Sequence, residues 1–268
     1  MLGKLFAWLR PKAPAPIPDA LWQQTIARMP FLAALTADEQ TRLRALAERF
    51  LADKEFSTAG GLALTDAMCV SIAAQGCLPI LELGLSCYAG WVGIVVYPDE
   101  FVVPRQSMDE DGVVHEYDDV ISGESWQGGP LLVSWRDVKM AGEGYNVVIH
   151  EFAHKLDMLN GDTDGMPALH SGLTQAEWEA TLLAAYEHFC ARVDSGDDTW
   201  IDPYAAEHPA EFFAVLSECF FDAPDVVRAE YPALYRLLSR YYRQDPLSRQ
   251  PAPTQHPCPP APHASRFS

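Results

Sequence analysis

Two histidines separated by three residues, His150 and His154, stand in the run Asn146-Val-Val-Ile-His150-Glu151-Phe-Ala-His154-Lys-Leu-Asp157. If this run is helical, both imidazoles leave one face about 6 Å apart along the axis and can reach a single metal ion. Glu151 lies beside them, placed to take a proton from a metal-bound water, and zinc lowers the pKa of such a water to about 7. The pattern therefore asks for a helix with one metal-facing stripe. The pentad is only moderately specific on its own, so the context has to carry the rest.

At 268 residues the chain is long enough for one large domain or two small ones with an ample core. Its net charge of −18 makes a nucleic-acid backbone a poor partner and suits basic or neutral ligands. Six scattered cysteines, at 69, 77, 87, 190, 219 and 258, form no CxxC pair and read as buried free thiols in a reducing compartment. The apolar run Leu5-Phe6-Ala7-Trp8-Leu9 is too short for a signal segment or a membrane span, so a cytoplasmic protein without stable membrane insertion is expected.

Residues 1–18 read as an N-terminal segment ending in a Pro/Ala linker. The ordered body is expected over 19–243, with a helical part over about 19–77 and a catalytic part over about 78–243. Asp19 is placed to cap a helix through Arg28, and Thr36-Ala-Asp-Glu39 is a capping box that opens an amphipathic helix carrying Leu43, Leu46, Ala47 and Phe50. A further helix follows Thr65. Val92–Tyr97, Phe101–Val103 and Leu131–Trp135 read as strands, with a hairpin or loop at Asp109–Gly112.

Helical texture then returns over 146–159. Thr174–Glu177 reads as a second capping box opening a helix through Val193, with Trp178, Leu182, Tyr186 and Phe189 inward. Pro209 begins a helix through Phe221, and Pro232 one ending near Arg243. Seven prolines between 246 and 262 mark 244–268 as a disordered Pro-rich tail. The whole predicts an α+β fold with a small mixed sheet among helices.

A catalytic zinc takes three protein ligands and leaves a position open. Asp157 lies seven residues beyond His150, about 10 Å along the same axis, which predicts a partner of a ligand or a helix-end group rather than a ligand. The best segment for the third ligand is Tyr204-Ala-Ala-Glu207-His208-Pro209-Ala210-Glu211-Phe212-Phe213, continuing to Glu218. From spacing alone Glu211 is either that ligand or a first-turn acid favoured by the helix dipole. Glu207 and Glu218 read most simply as solvated helix-face acids.

The string from Asn146 to Asp157, followed by Tyr204-x6-Glu211-Phe-Phe-Ala, closely resembles the Mlc titration factor A family of bacterial metallopeptidases over most of the ordered body. The two motif helices and the tyrosine also resemble the peptidase domain of anthrax lethal factor. The resemblance implies a zincin-like, gluzincin-like zinc metallopeptidase with one Zn2+ per chain. It implies His150, His154 and Glu211 as ligands, Glu151 as general base and Tyr204 as transition-state hydrogen-bond donor. It also points to aminopeptidase action on peptides and to binding of the glucose repressor Mlc, which relieves repression of sugar-phosphotransferase genes.

The chain could thus be chiefly a repressor-binding regulator with secondary peptidase activity. A purely structural zinc domain would leave Glu151 without a purpose. Leu131–Trp135 is either the strand edge that aligns a substrate or a core strand. Asn160-Gly-Asp162-Thr-Asp164-Gly165 is like a calcium loop but has Ser171 where the bidentate Glu belongs, so it reads as a solvated turn. His256, Cys258 and His263 read as loop residues.

Overall fold

The computed structural model describes residues 14–108, 114–142 and 144–249. The run Leu5–Leu9, the Asp109–Gly112 loop and the group His256, Cys258 and His263 lie outside the described residues.

The described residues open with helices α1 (Asp19–Ala27), α2 (Pro30–Ala33) and α3 (Ala37–Asp53), then strand β1 (Glu55–Thr58) and helix α4 (Asp66–Cys77). Thr36 caps α3 as a full capping box with Glu39, and its buried residues are the predicted stripe Leu43, Leu46, Ala47 and Phe50. Thr65 caps α4 through the Met68 amide. Asp19 does not act as a cap, because Pro18 holds that position; Asp19 sits in the first turn and pairs with Arg44 at 2.7 Å.

Strands β2 (Gly93–Tyr97), β5 (Gly123–Ser125) and β6 (Leu131–Ser134) join β1 in a four-stranded sheet of order β1-β2-β6-β5. The first three run parallel and β5 is antiparallel to β6, so the sheet is mixed and the fold α+β. Strands β3 (Phe101–Met108) and β4 (Val114–Ile121) form a separate antiparallel ribbon, longer than Phe101–Val103 suggested. The strand at Leu131 is interior, with all four residues buried, and so is a core strand rather than a substrate edge. Trp135 is not part of it: Ser134 caps a short helix α5 (Trp135–Val138) there. The edge strand on this side is β5.

Helices α6 (Val147–Asp157), α7 (Gln175–Asp194), α8 (Pro209–Asp222), α9 (Pro224–Glu230) and α10 (Pro232–Tyr242) complete the body. Thr174 caps α7, but Glu177 does not close a box; it pairs with Arg240 of α10 instead. Trp178, Leu182 and Phe189 are buried as predicted, whereas Tyr186 is half-buried and donates to the Ala206 carbonyl at 2.9 Å. No helix among the described residues is long and apolar enough to cross a membrane. Cys69, Cys77, Cys87, Cys190 and Cys219 carry free thiols.

The chain ends of the body are tied to α3. The Ile17 amide donates to Glu48 at 2.9 Å. Order continues past the boundary expected at Gln244: Gln244 is buried and donates to the Leu78 carbonyl at 2.8 Å, and Arg249 donates to Glu39 at 2.6 Å.

Candidate metal centre

Helix α6 forms where Asn146 caps it, its Oδ1 accepting from the Ile149 amide at 2.9 Å. All of its residues from Val147 to Asp157 are buried, because α4, α8 and the sheet surround it. An α-helix enclosed in this way must be apolar on nearly every side. The exceptions are the groups of interest.

His150 and His154 face α8. His150 Nε2 and His154 Nε2 are 3.1 Å apart, and Glu211 Oε2 lies 3.1 Å from the first and 3.3 Å from the second. Glu211 reaches them from the first turn of α8, which Pro209 opens and His208 caps. This trio could hold a metal ion and is the one such cluster among the described residues. Its chemistry fits zinc. Two imidazole nitrogens and a carboxylate oxygen bound tetrahedrally at ~2.0–2.1 Å would stand ~3.3 Å from one another. As the trio stands Glu211 Oε2 can accept from both imidazoles, and with those two nitrogens deprotonated the three lone pairs can share one cation.

Glu218 is the residue that sequence reasoning misplaced. It is 3 % exposed rather than solvated. Its Oε1 accepts from His150 Nδ1 at 2.7 Å, and Oε2 accepts from the Asn146 amide. It thereby fixes the ring of one candidate ligand and the first turn of the helix that carries both. With a metal bound, a proton held on Nδ1 would leave the Nε2 lone pair to the ion. Burial opposes charge on His150, but hydrogen bonds to Glu211 and Glu218 outweigh it and hold the imidazole well above its ordinary pKa. Burial likewise opposes the Glu211 carboxylate, and the two imidazoles outweigh it and hold its pKa far below the usual carboxylate range.

Glu151 is 2 % exposed, and burial pushes its carboxyl pKa up. It is not part of the trio. Ser125 Oγ on β5 donates to its main-chain carbonyl at 2.8 Å. Tyr204 sits in a short turn, Pro203–Ala206, capped by Asp202, with its ring centroid 6.3 Å from that of His150. Burial first, then Glu211, pushes its phenol pKa far up, so it keeps its proton. His150, Glu151, His154, Tyr204 and Glu211 all line one cavity of about 250 Å³, together with Glu124 and Ser125 of β5 and with Glu207.

Asp157 is outside the trio, as its rise along the helix implies. Its Oδ2 accepts from the Gly165 amide at 2.8 Å, and burial raises its pKa to about 6. Asp164 accepts from the Met166 amide at 3.0 Å in an exposed turn. Gly165 is required there: φ is +80°, and a Cβ would lie 2.6 Å from the Pro209 carbonyl oxygen.

A family model described as glucose-regulated metallo-peptidase M90 matches residues 6–243. Mlc titration factor A of Salmonella arizonae is 44% identical over 236 residues, covering 86% of this chain and 93% of the relative. The protein of the same name from Escherichia fergusonii is 43% identical over 233 residues, covering 85% and 87%. That from Enterobacter sp. is 42% identical over 239 residues, covering 87% and 89%.

Proposed function

This chain belongs to the glucose-regulated metallo-peptidase M90 family, and from that premise we propose that it is a zincin-like, zinc-dependent peptidase. His150, His154 and Glu211 hold one Zn2+ per chain, and Glu151 and Tyr204 act on the substrate. The observation that carries this reading is the convergence of three donor atoms at 3.1–3.3 Å beside a separate buried carboxylate. Zinc bound there would supply Lewis-acid activation of the attacking water and of the scissile carbonyl.

The remaining work falls to the chain's own side chains. Glu151 takes the proton from the water as it attacks and returns it to the leaving nitrogen. A carboxyl whose pKa is raised by burial suits both transfers. Tyr204 donates its O–H to the oxygen that gains charge, and its raised pKa keeps that proton available. An extended peptide would add to the edge strand β5 rather than to β6.

Aminopeptidase action needs an acid for the substrate's α-ammonium group. Glu124 and Glu207 are the carboxylates that line the cavity and are left over once Glu151 and Glu211 have their roles. The relatives' name ties them to Mlc, and we extend that to binding of the repressor Mlc by this chain, in the cytoplasm.

The test combines metal removal with substrate choice. The purified chain is expected to carry zinc and to cleave short chromogenic peptides with a free amine. A chelator should abolish turnover and added zinc restore it. An acetylated N-terminus should lower kcat/KM by on the order of 100-fold, the loss of a charge-assisted contact. Unchanged turnover after complete metal removal defeats the peptidase reading, and equal cleavage of blocked substrates defeats the aminopeptidase one. Co-purification with Mlc by wild type and by Glu151→Gln tests the partner separately.

Glu218→Gln removes the charge and leaves one oxygen to serve both His150 and the Asn146 amide. It should therefore weaken zinc binding by about 10–100-fold, as disturbing the carboxylate behind a ligating imidazole does elsewhere. Competition against a chromogenic chelator measures it. Affinity equal to wild type would show that the His150–Glu218 contact does not orient the ligand.

A further inference from the structure

Strand β5 lies against α6 at several points. Ser125 Oγ donates to the Glu151 carbonyl. Beyond the strand, the buried Lys155 Nζ donates to the carbonyls of Trp126 at 2.6 Å and Gly129 at 2.9 Å, so the turn that follows β5 is held on the same helix. Residues 123 and 125 share one face of the strand, the face turned to α6. At 123 the contact is closest. A Cβ built on Gly123 would stand 2.5 Å from Glu151 Oε1, 2.8 Å from Cγ and 2.9 Å from Cδ.

Side chains in real structures do not pack this closely, so a Cβ at 123 would push the Glu151 side chain aside, toward the cavity that it lines. No left-handed backbone conformation demands glycine here, since the glycines with positive φ do not include Gly123. What this glycine provides is the absence of a side chain.

We propose that Gly123 is the positioning residue for Glu151: the space left by its missing side chain is where the Glu151 carboxylate rests, directed into the cavity beside His150, His154 and Glu211. Any larger residue at 123 displaces the carboxylate while leaving the metal-holding trio, on the α8 side of α6, in place. The proposal rests on the reading of Glu151 as general base. It adds that the edge strand, which is too short to be seen in the sequence pattern, sets where that base points.

The test is a cycle of four zinc-loaded proteins: wild type, Gly123→Ala, Glu151→Ala and the double variant. Gly123→Ala should keep zinc content and KM within about threefold and lose on the order of 100-fold in kcat, the scale of a misplacement near 1 Å. Its melting temperature should fall by about 4 °C or more, as overpacking does. In the Glu151→Ala background the same alanine has room, so the fall should shrink to about 1 °C or less.

Wild-type kcat in Gly123→Ala overturns the proposal, as does an equal fall in melting temperature in both backgrounds, which would make the tight spot a matter of general packing. If Gly123→Ala does not fold, the double variant must fold; failure of both also overturns it. Failure of the underlying reading shows separately, as wild-type turnover in Glu151→Gln.

Discussion

Glu151→Gln, loaded with zinc, is expected to hydrolyse peptides on the order of 10³-fold more slowly than wild type while binding the metal with unchanged affinity. The substitution keeps the size of a buried side chain and removes only its ability to accept and return a proton. Glu151 stands outside the three converging donor atoms, so the metal has no reason to leave. The contrast with Glu211→Gln matters: that change removes a charged donor from the trio itself and should lower zinc content together with activity. Steady-state kinetics with metal analysis on the same preparations separates the two. A zinc-loaded Glu151→Gln protein with wild-type turnover would remove the acid–base role altogether.

Phe152→Ala is expected to cost about 3–5 kcal/mol of folding stability. The ring is fully buried on the side of α6 away from the imidazoles. It packs against Tyr88 at 4.9 Å between centroids, Phe50 at 5.6 Å and Trp91 at 5.9 Å. It also rests on the backbone of α4, where a Cβ on Gly76 would come within 2.6 Å of it. Backbone and large aromatics wall the site, so the cavity cannot readily collapse, which puts the cost at the high end for such a change. Thermal unfolding should move down by roughly 10 °C at 2–4 °C per kcal/mol for a domain of this size. A shift below 2 °C would mean that the ring does not anchor the motif helix. Folded protein at low temperature should still bind zinc, since no donor atom is touched.

Much of the site was legible because its signals are local. Asn146, the apolar run and the two histidines specify a capped, enclosed helix, and Pro209 opens a second one, whose Glu211 only the family resemblance singled out as a ligand. Glu218 was misread because a glutamate near a helix end reads as solvated unless its partner is known, and His150 is 68 residues away. A clue was nevertheless present: 211 and 218 are seven residues, two turns, apart, so both acids share the face that meets α6. Strand β5 has three residues, too few for an alternating pattern. The unbroken run Leu131-Leu-Val fits a strand covered on both faces better than an edge, and that is what β6 is. Helix α9 escaped notice because it fills the short gap between two proline-led helices.

One helix fastens both extremities of the body. Glu48 holds the incoming chain at Ile17 and Glu39 grips Arg249 as it departs. Entry and exit thus share a single buckle, and α3 cannot melt without freeing the two together. Fraying from either end of the body is thereby coupled to the loss of one element, and that element supplies Phe50 to the packing behind the motif helix.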